Sequence, residues 1–242
     1  MPKFYYDLHT HSCLSPCGDN DNTPSNIAGI AAVSELDIVA LTDHNTTKNC
    51  PAFFKAAEHY GVIPIAGMEL TTAEDIHIVF LFPTLEKAIS FGEYVDSRRI
   101  KIKNREDIFG EQLIMNENEE IIGREEFLLS NATEISVDEV IDLAVRFGGV
   151  CFPAHIDRDA NSIISVLGAI PPNLDFTAVE FHSADKIEEY KEKYPIKNKK
   201  IIIDSDAHYL HSVRDRENYI ELEGESPEKI VNSLFEFLRG QI

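Results

Sequence analysis

Six short stretches of this 242-residue chain place histidines and carboxylates at spacings suited to gripping cations. They are DLHTHS at 7–12, LTDHN at 41–45, GMEL at 67–70, DIHIV at 75–79, PAHID at 153–157 and DSDAH at 204–208. On an extended chain alternate side chains share a face, so His9 and His11 project together and can hold one ion, as can Asp206 and His208. Imidazoles and carboxylates crowded into one cleft would be badly desolvated, and the carboxylates would repel one another, unless positive charge held them. Divalent metal supplies that charge. Asp204 shares a face with Asp206 and lies deeper, which suits a hydrogen bond to a ligand histidine, while Asp43 points away from its neighbour His44 and suits either such a bond or proton transfer.

The elements that must position these groups are short apolar runs at 4–9, 36–42, 62–69, 75–82, 149–155, 176–182 and 200–206, each patterned as a buried strand. Seven of the nine histidines fall within such a run or at its C-terminal side: His9, His11, His44, His77, His155, His182 and His208; a further run ends in Glu69. Helical patterns lie between most runs. Thr23-Pro24, the capping box of Ser136 with Glu139, and Ser226-Pro227 open three of them; Asn49 and Pro51 open another, which Gly61 closes. Alternating strand and helix predicts an α/β fold with a mainly parallel sheet, whose strand C-termini converge on one cleft. Residues 98–135 break that rhythm, with two β-like runs around Asn116-Glu117-Asn118-Glu119, and are expected to form an inserted hairpin or subdomain of a single 1–242 domain.

Acidic residues outnumber basic ones 42 to 22, for a formal charge of −20, and the densest basic runs, at 98–105 and 197–200, are short. A long nucleic-acid polymer is therefore an unfavoured partner. Nothing in the chain suits a signal peptide or a bilayer span, and four scattered cysteines do not make a disulfide framework, so a cytoplasmic protein with reduced thiols is expected. His59 and His211 read as surface residues. The oligomeric state is left open.

The ordered set of motifs resembles the polymerase and histidinol phosphatase (PHP) family of metal-dependent phosphoesterases, across nearly the whole chain. That resemblance implies a distorted (β/α)7 TIM-like barrel and a centre of three divalent ions, zinc, manganese or iron. By carry-over, His9, His11, Glu69 and Asp206 hold one ion; Glu69 bridges to a second bound by His77 and His155; His44 and His208 hold a third. The last ligand departs from the family pattern, because the loop offers Cys17 or Asp19, a thiolate suiting zinc or iron and a carboxylate suiting harder ions. Clustered divalent ions suit phosphate-ester hydrolysis by activating water and neutralising phosphoryl charge. The expected activity is hydrolysis of a small phosphorylated metabolite or nucleotide, with Arg158 clamping a phosphate oxygen and Asp43 or His182 serving as catalytic groups. Two alternatives are an exonuclease or oligonucleotide phosphodiesterase using the same centre, and a non-catalytic metal-binding module.

Overall fold

A computed structural model describes residues 1–242. The chain runs β1 (Lys3–Thr10), α1 (Pro24–Val33), β2 (Ile38–Leu41), α2 (Cys50–Tyr60), β3 (Ile63–Thr71), β4 (His77–Phe82) and α3 (Leu85–Arg98). Then come α4 (Glu106–Phe109), β5 (Leu113–Met115), β6 (Ile121–Arg124), α5 (Val140–Phe147), β7 (Val150–Pro153) and α6 (Ile163–Leu167). It ends with β8 (Ala178–Phe181), α7 (Ile187–Lys193), β9 (Lys200–Ile203), β10 (Tyr219–Glu221) and α8 (Pro227–Leu238). The helix ends follow local chemistry: Thr23, Ser136 and Ser226 cap through their hydroxyls, and Gly61 and Gly148 close α2 and α5 at φ 75° and 70°. Asn49 precedes α2 but does not cap it. Its side chain instead accepts from the Met115 N–H at 2.9 Å and donates to the Leu113 carbonyl at 3.0 Å.

The main sheet has the order β10-β1-β2-β3-β4-β7, and β8 pairs with β9 alongside it. The pairs β1–β2, β2–β3 and β8–β9 are parallel. The expectation of a mainly parallel sheet needs correction: β4 is antiparallel to both β3 and β7, and the edge strand β10 is antiparallel to β1. Only residues 72–76 join β3 to β4, too few for a parallel crossover, and the Thr72 N–H closes a hairpin on the Ile76 carbonyl at 2.9 Å. Because β4 is reversed, its first residue, His77, stands opposite Thr71 at the finishing end of β3.

Two seams complete a distorted TIM-like barrel. The Ile156 N–H donates to the Glu180 carbonyl at 2.9 Å, joining the end of β7 to β8. Past β9, the Ala207 carbonyl accepts from the His11 N–H at 2.9 Å, while Asn218 wedges lower in the gap, its carbonyl accepting from Tyr6 and its amide donating to the Ile203 carbonyl. One apolar cluster fills the barrel, with Leu8, Ile38, Ile65, Val79, Phe152 and Ile202 meeting Leu234, Phe235 and Leu238 of α8. A second lies between sheet and outer helices, around Phe53, Met68, Phe80, Phe82 and Phe91. No helix is long and apolar enough to cross a membrane, and all four cysteines are unpaired.

Between α3 and α5, residues 99–135 hold α4, β5 and β6. Arg99 bridges Thr133 at the neck of this segment, and β5 and β6 make a hairpin. The hairpin docks on the loop after β1: the Leu113 N–H donates to the Cys13 carbonyl at 2.9 Å, and Cys13, Leu113 and Met115 pack together.

The β3–β4 pairing is tight at Gly67. A β-carbon at Gly67 would lie 2.6 Å from the Phe80 carbonyl oxygen and 2.8 Å from the Thr42 methyl. Gly67→Ala should therefore lower unfolding free energy by roughly 1–3 kcal/mol. Urea denaturation checks this, and an unchanged midpoint would contradict the packing described.

Candidate metal centre

Glu69, at the end of β3, is the hub. The backbone of LTDHN pairs with it, since the Glu69 N–H donates to the Thr42 carbonyl at 3.0 Å and the Asn45 N–H to the Glu69 carbonyl at 3.0 Å, which sets His44 beside it. Around its carboxylate stand His77 Nδ1 at 2.7 Å and His155 Nε2 at 3.1 Å on Oε1, with His44 Nδ1 at 3.1 Å, His11 Nε2 at 3.2 Å and His9 Nε2 at 3.3 Å on Oε2. Asp206 enters from the chain past β9, with Oδ1 3.3 Å from His9 and 3.1 Å from His11.

His9 faces this point because β1 bulges. Tyr6 and Asp7 pair with Ile38 and Val39, but Thr10 pairs with Leu41, so one residue is extra on the β1 side. Leu8 and His9 can then both turn inward, Leu8 into the barrel core and His9 to the ligand cluster. His9 Nδ1 lies 3.1 and 2.9 Å from the two oxygens of Glu180. A carboxylate accepts only, so Nδ1 carries a proton and Nε2 is the nitrogen turned to Glu69 and Asp206, free to bind a cation once its own proton is displaced. His11 is fixed similarly: its Nδ1–H donates to Ser15 Oγ at 2.9 Å, and that hydroxyl donates to Asp43 at 2.8 Å.

The ligand atoms fall into three groups, each with all members within 4.8 Å of one another: His9, His11, Glu69 and Asp206; His44, Glu69 and His77; His11, His44 and His208. In the first, five of the separations are 3.1–3.3 Å. The centre of a tetrahedron with such edges lies about 2.0 Å from each corner, which is the ordinary zinc–nitrogen or zinc–oxygen distance. Glu69 Oε2, Asp206 Oδ1 and His44 Nδ1 are buried without a hydrogen-bond partner, aimed at one another in the manner a cation requires. These residues fit a divalent metal. Backbone strain marks the same place, since His155 has φ 27° and Asp206 φ 51°, conformations that cost non-glycine residues of order 1–3 kcal/mol.

Several expectations change. Neither Cys17 nor Asp19 joins a ligand group. The 15–18 turn, closed by the Gly18 N–H on the Ser15 carbonyl at 2.8 Å, leaves Cys17 exposed, and exposed Asp19 accepts from the Asp21 N–H at 2.8 Å. The second group contains His44 with Glu69 and His77, while His155 touches only the Glu69 corner. Asp43 does not reach the centre: its oxygens accept from the Ser12 N–H, Ser12 Oγ and Ser15 Oγ at 2.7, 2.6 and 2.8 Å, so it steadies His11 through Ser15 and is not placed to carry protons to substrate. Asp204 accepts from the Leu8 N–H at 2.7 Å, and the histidine-binding carboxylate is Glu180, which the motif reading passed over. A glutamate inside the apolar run FTAVEFH, two residues before His182 and on the same face, was the available signal.

The mouth is a cavity of about 180 Å³ lined by His44, Glu69, His77, His155, Arg158, Ala160, Asn161, Asp206 and His208. Arg158 pairs with Asp206, and its Nη2 lies 3.1 Å from Nδ1 of half-buried His182. Burial, then the charges of Arg158 and Arg214, lower the His182 pKa, so this ring is neutral at pH 7. A larger concavity of about 840 Å³ lies elsewhere, lined by Phe54, Ile63, Pro83 and Val231 among others, and includes no member of the three ligand groups.

Burial would raise Glu69 and Asp206, but the surrounding imidazoles outweigh it and hold both well below the usual carboxylate range. Conversely, burial opposes charge on His11, yet Asp206 and Glu69 outweigh it and raise its pKa to about 9; His9 is likewise raised, chiefly by Glu180. His208 goes the other way, lowered to about 4 by burial and by His11. At pH 7 a metal must therefore displace protons from the His9–His11 pair. Calorimetric titration with Zn²⁺ in buffers of different ionisation enthalpy should show proton release, with apparent affinity rising toward pH 9. In chelator-treated protein, a folded value above the unfolded one of about 6.5 stabilises fully below pH 6.5 and ceases to do so as pH rises through about 9, so melting temperature should fall across that window. A pH-independent affinity would contradict this assignment.

The PHP domain family pattern matches residues 7–159, more than half of the chain. Among curated proteins, an uncharacterised protein of Methanocaldococcus jannaschii, MJ1587, is 31% identical over 99 residues, which is 37% of this chain and 58% of that one. Among solved structures, the lesion-specific endonuclease PfuEndoQ from Pyrococcus furiosus superposes with a TM-score of 0.65 at 20% identity, covering 99% of this chain and 56% of that one. A chain from Bifidobacterium adolescentis described as a metal-dependent phosphoesterase gives 0.57 at 17% identity, covering 86% and 88%. The chain thus spans just over half the length of the archaeal relative and of the endonuclease. At these identities the structural likenesses speak for the fold, and the family pattern, covering five of the six ligand motifs, speaks for descent: the chain belongs to the PHP domain family.

Proposed function

We propose that this chain is a cytoplasmic metal-dependent phosphoesterase, acting as one catalytic unit over residues 1–242, that hydrolyses a phosphate ester of a small metabolite or nucleotide. The observation that carries the reading is the buried set of His9, His11, Glu69 and Asp206, in which Glu69 Oε2 and Asp206 Oδ1 have no hydrogen-bond partner and both carboxylates line a small cavity beside an arginine. His9, His11, Glu69 and Asp206 hold one ion in this reading. Glu69 shares its carboxylate with a second position at His44 and His77, with His155 alongside, and His11, His44 and His208 form a third. Bound divalent ions, with zinc, manganese and iron all suited to these donors, would lower the pKa of bound water and neutralise charge on the phosphoryl oxygens.

The chain's own groups do the positioning. Arg158 lies at the mouth, 38% exposed, where its guanidinium can turn from Asp206 to a phosphate oxygen. Neutral His182 sits against it and limits where the guanidinium can go. A cavity of about 180 Å³ suits a single phosphoryl group with little else at its depth. The formal charge of −20 disfavours a polyanion, and the basic run at 98–105 is neutralised in place: Lys101 pairs with Asp96, Lys103 with Glu126 and Arg105 with Asp107.

A second reading, cleavage of nucleic acid, is favoured by the superposition of 99% of this chain on a lesion-specific endonuclease. That endonuclease chain is far longer, so its DNA contacts need not be present here.

Phosphate release from a panel of phosphorylated metabolites and nucleotides, set beside cleavage of labelled short and long oligonucleotides, separates the two. The first reading expects metal-dependent turnover of small monoesters, abolished by chelator and reduced at least about a hundredfold in His9→Ala and Asp206→Asn. Arg158→Ala should raise KM about tenfold or more, as loss of one charge-assisted contact requires, with a smaller change in kcat. Turnover of DNA alone would replace the first reading with the second, and full activity after metal removal would end both.

A further inference from the structure

We propose that Glu180 is a positioning residue of the metal centre, fixing the tautomer and aim of His9 so that the first ion is bound tightly. The inference rests on the reading that His9, His11, Glu69 and Asp206 hold an ion, and it concerns a residue outside every ligand motif.

The geometry is specific. Glu180 is fully buried in β8, and both carboxylate oxygens lie within 3.1 Å of the same nitrogen, His9 Nδ1. Its backbone is held from both sides, its carbonyl accepting from the Ile156 N–H at 2.9 Å and its residue paired with Ile202 of β9. The carboxylate is therefore delivered by a rigid seam of the barrel rather than by a mobile loop. His9 needs such a partner. It lies at the bulge of β1, where side-chain direction is least constrained by strand pairing, and a ring rotated about its Cβ–Cγ bond would aim Nδ1 and Nε2 elsewhere. With Nδ1–H donated to Glu180, the Nε2 lone pair can point only at the Glu69, Asp206 and His11 corner, and the negative partner makes that nitrogen a stronger donor to a cation.

The surroundings argue against Glu180 being merely a satisfied core residue. Asp7 and Asp204 lie fully buried nearby, and Asp7 Oδ2 and Asp204 Oδ2 have no hydrogen-bond partner. A third carboxylate adds to an interior already short of positive charge, and apolar replacement of a buried ion pair is often neutral or stabilising. Fold stability by itself gives no reason for an acid here. A cation on the far side of His9 does.

The test is Zn²⁺ affinity by competition with a chromogenic chelator, measured on wild type, Glu180→Gln, Glu180→Ala and Asp204→Asn. The melting temperature and circular dichroism of the chelated proteins are recorded alongside. Glu180→Gln keeps the shape but loses the charge, and should bind about tenfold more weakly; Glu180→Ala should approach a hundredfold. Either variant suffices if it folds, and the loss should appear without a matching fall in the chelated melting temperature. Asp204→Asn alters an equally buried carboxyl group that bonds the Leu8 N–H rather than a ligand, and should stay within about twofold of wild type. Affinity unchanged in a folded Glu180 variant overturns the proposal, and so does an equal loss in Asp204→Asn, which would make the effect one of disturbing any buried carboxyl group here. If wild type binds neither Zn²⁺ nor Mn²⁺, the metal reading itself fails and takes this inference with it.

Discussion

One carboxylate governs the architecture. Glu69 is 1% exposed, and five imidazole nitrogens stand within 3.3 Å of its two oxygens, contributed by β1, by the segments after β2 and β7, and by the start of β4. Donors and acceptors collected this way are expensive to remove from water, and a hydrogen-bonded core would not concentrate so many on one group. Every unusual feature of the fold can be read as a means of bringing them there and keeping them aimed.

Those features are departures from regular barrel geometry. The bulge in β1 turns His9 inward after Leu8 has already faced the core. The reversed β4 supplies His77 from a strand start, where a parallel strand would have supplied a residue from its finish. His155 and Asp206 take positive φ where their strands have just ended. Strain of this kind persists only when surrounding contacts over-determine it, and here they do: the Ala207 carbonyl is pinned by the His11 N–H, and Arg158 is seated by its N–H on the His155 carbonyl. The insertion extends the same logic outward. Asn49 and Asn45 join it to the loops that carry His11 and His44, the latter through its amide on the Leu129 and Asn131 carbonyls at 2.6 and 2.9 Å.

Three of the ligand rings have partners that fix them from behind. Glu180 holds His9, the Ser15–Asp43 pair holds His11, and the Asp206 carbonyl accepts from His208 Nδ1 at 2.9 Å. In each case the nitrogen turned away from the centre has an acceptor, which leaves the other nitrogen facing inward as the one a cation would bind. Ring orientation is thus settled by hydrogen bonds that any bound ion would find already made, at the points where the backbone itself is least regular.

The sequence by itself determined which residues would meet. Histidines and acids at the ends of apolar runs can converge only if those runs are neighbouring strands, so His9, His11, His44, Glu69, His77, His155, Asp206 and His208 were legible from type and position. The seven strands, the capped helices and the β5–β6 hairpin were legible for the same reason, because periodicity and end signals are local properties of the chain. What tertiary structure alone decided is direction and partnership. The reversal of β4 depends on how a five-residue connection closes, the inward turn of His9 on a register slip against β2, and the displacement of Cys17 on a turn within its own loop. Glu180 has no role in the motif reading and enters from a strand marked only by His182, while Asp43, open to a supporting or a proton-carrying part, takes the supporting one behind two serines. A side chain's identity is written in the chain, but the atom it meets depends on how distant backbones pack, and no local pattern encodes that.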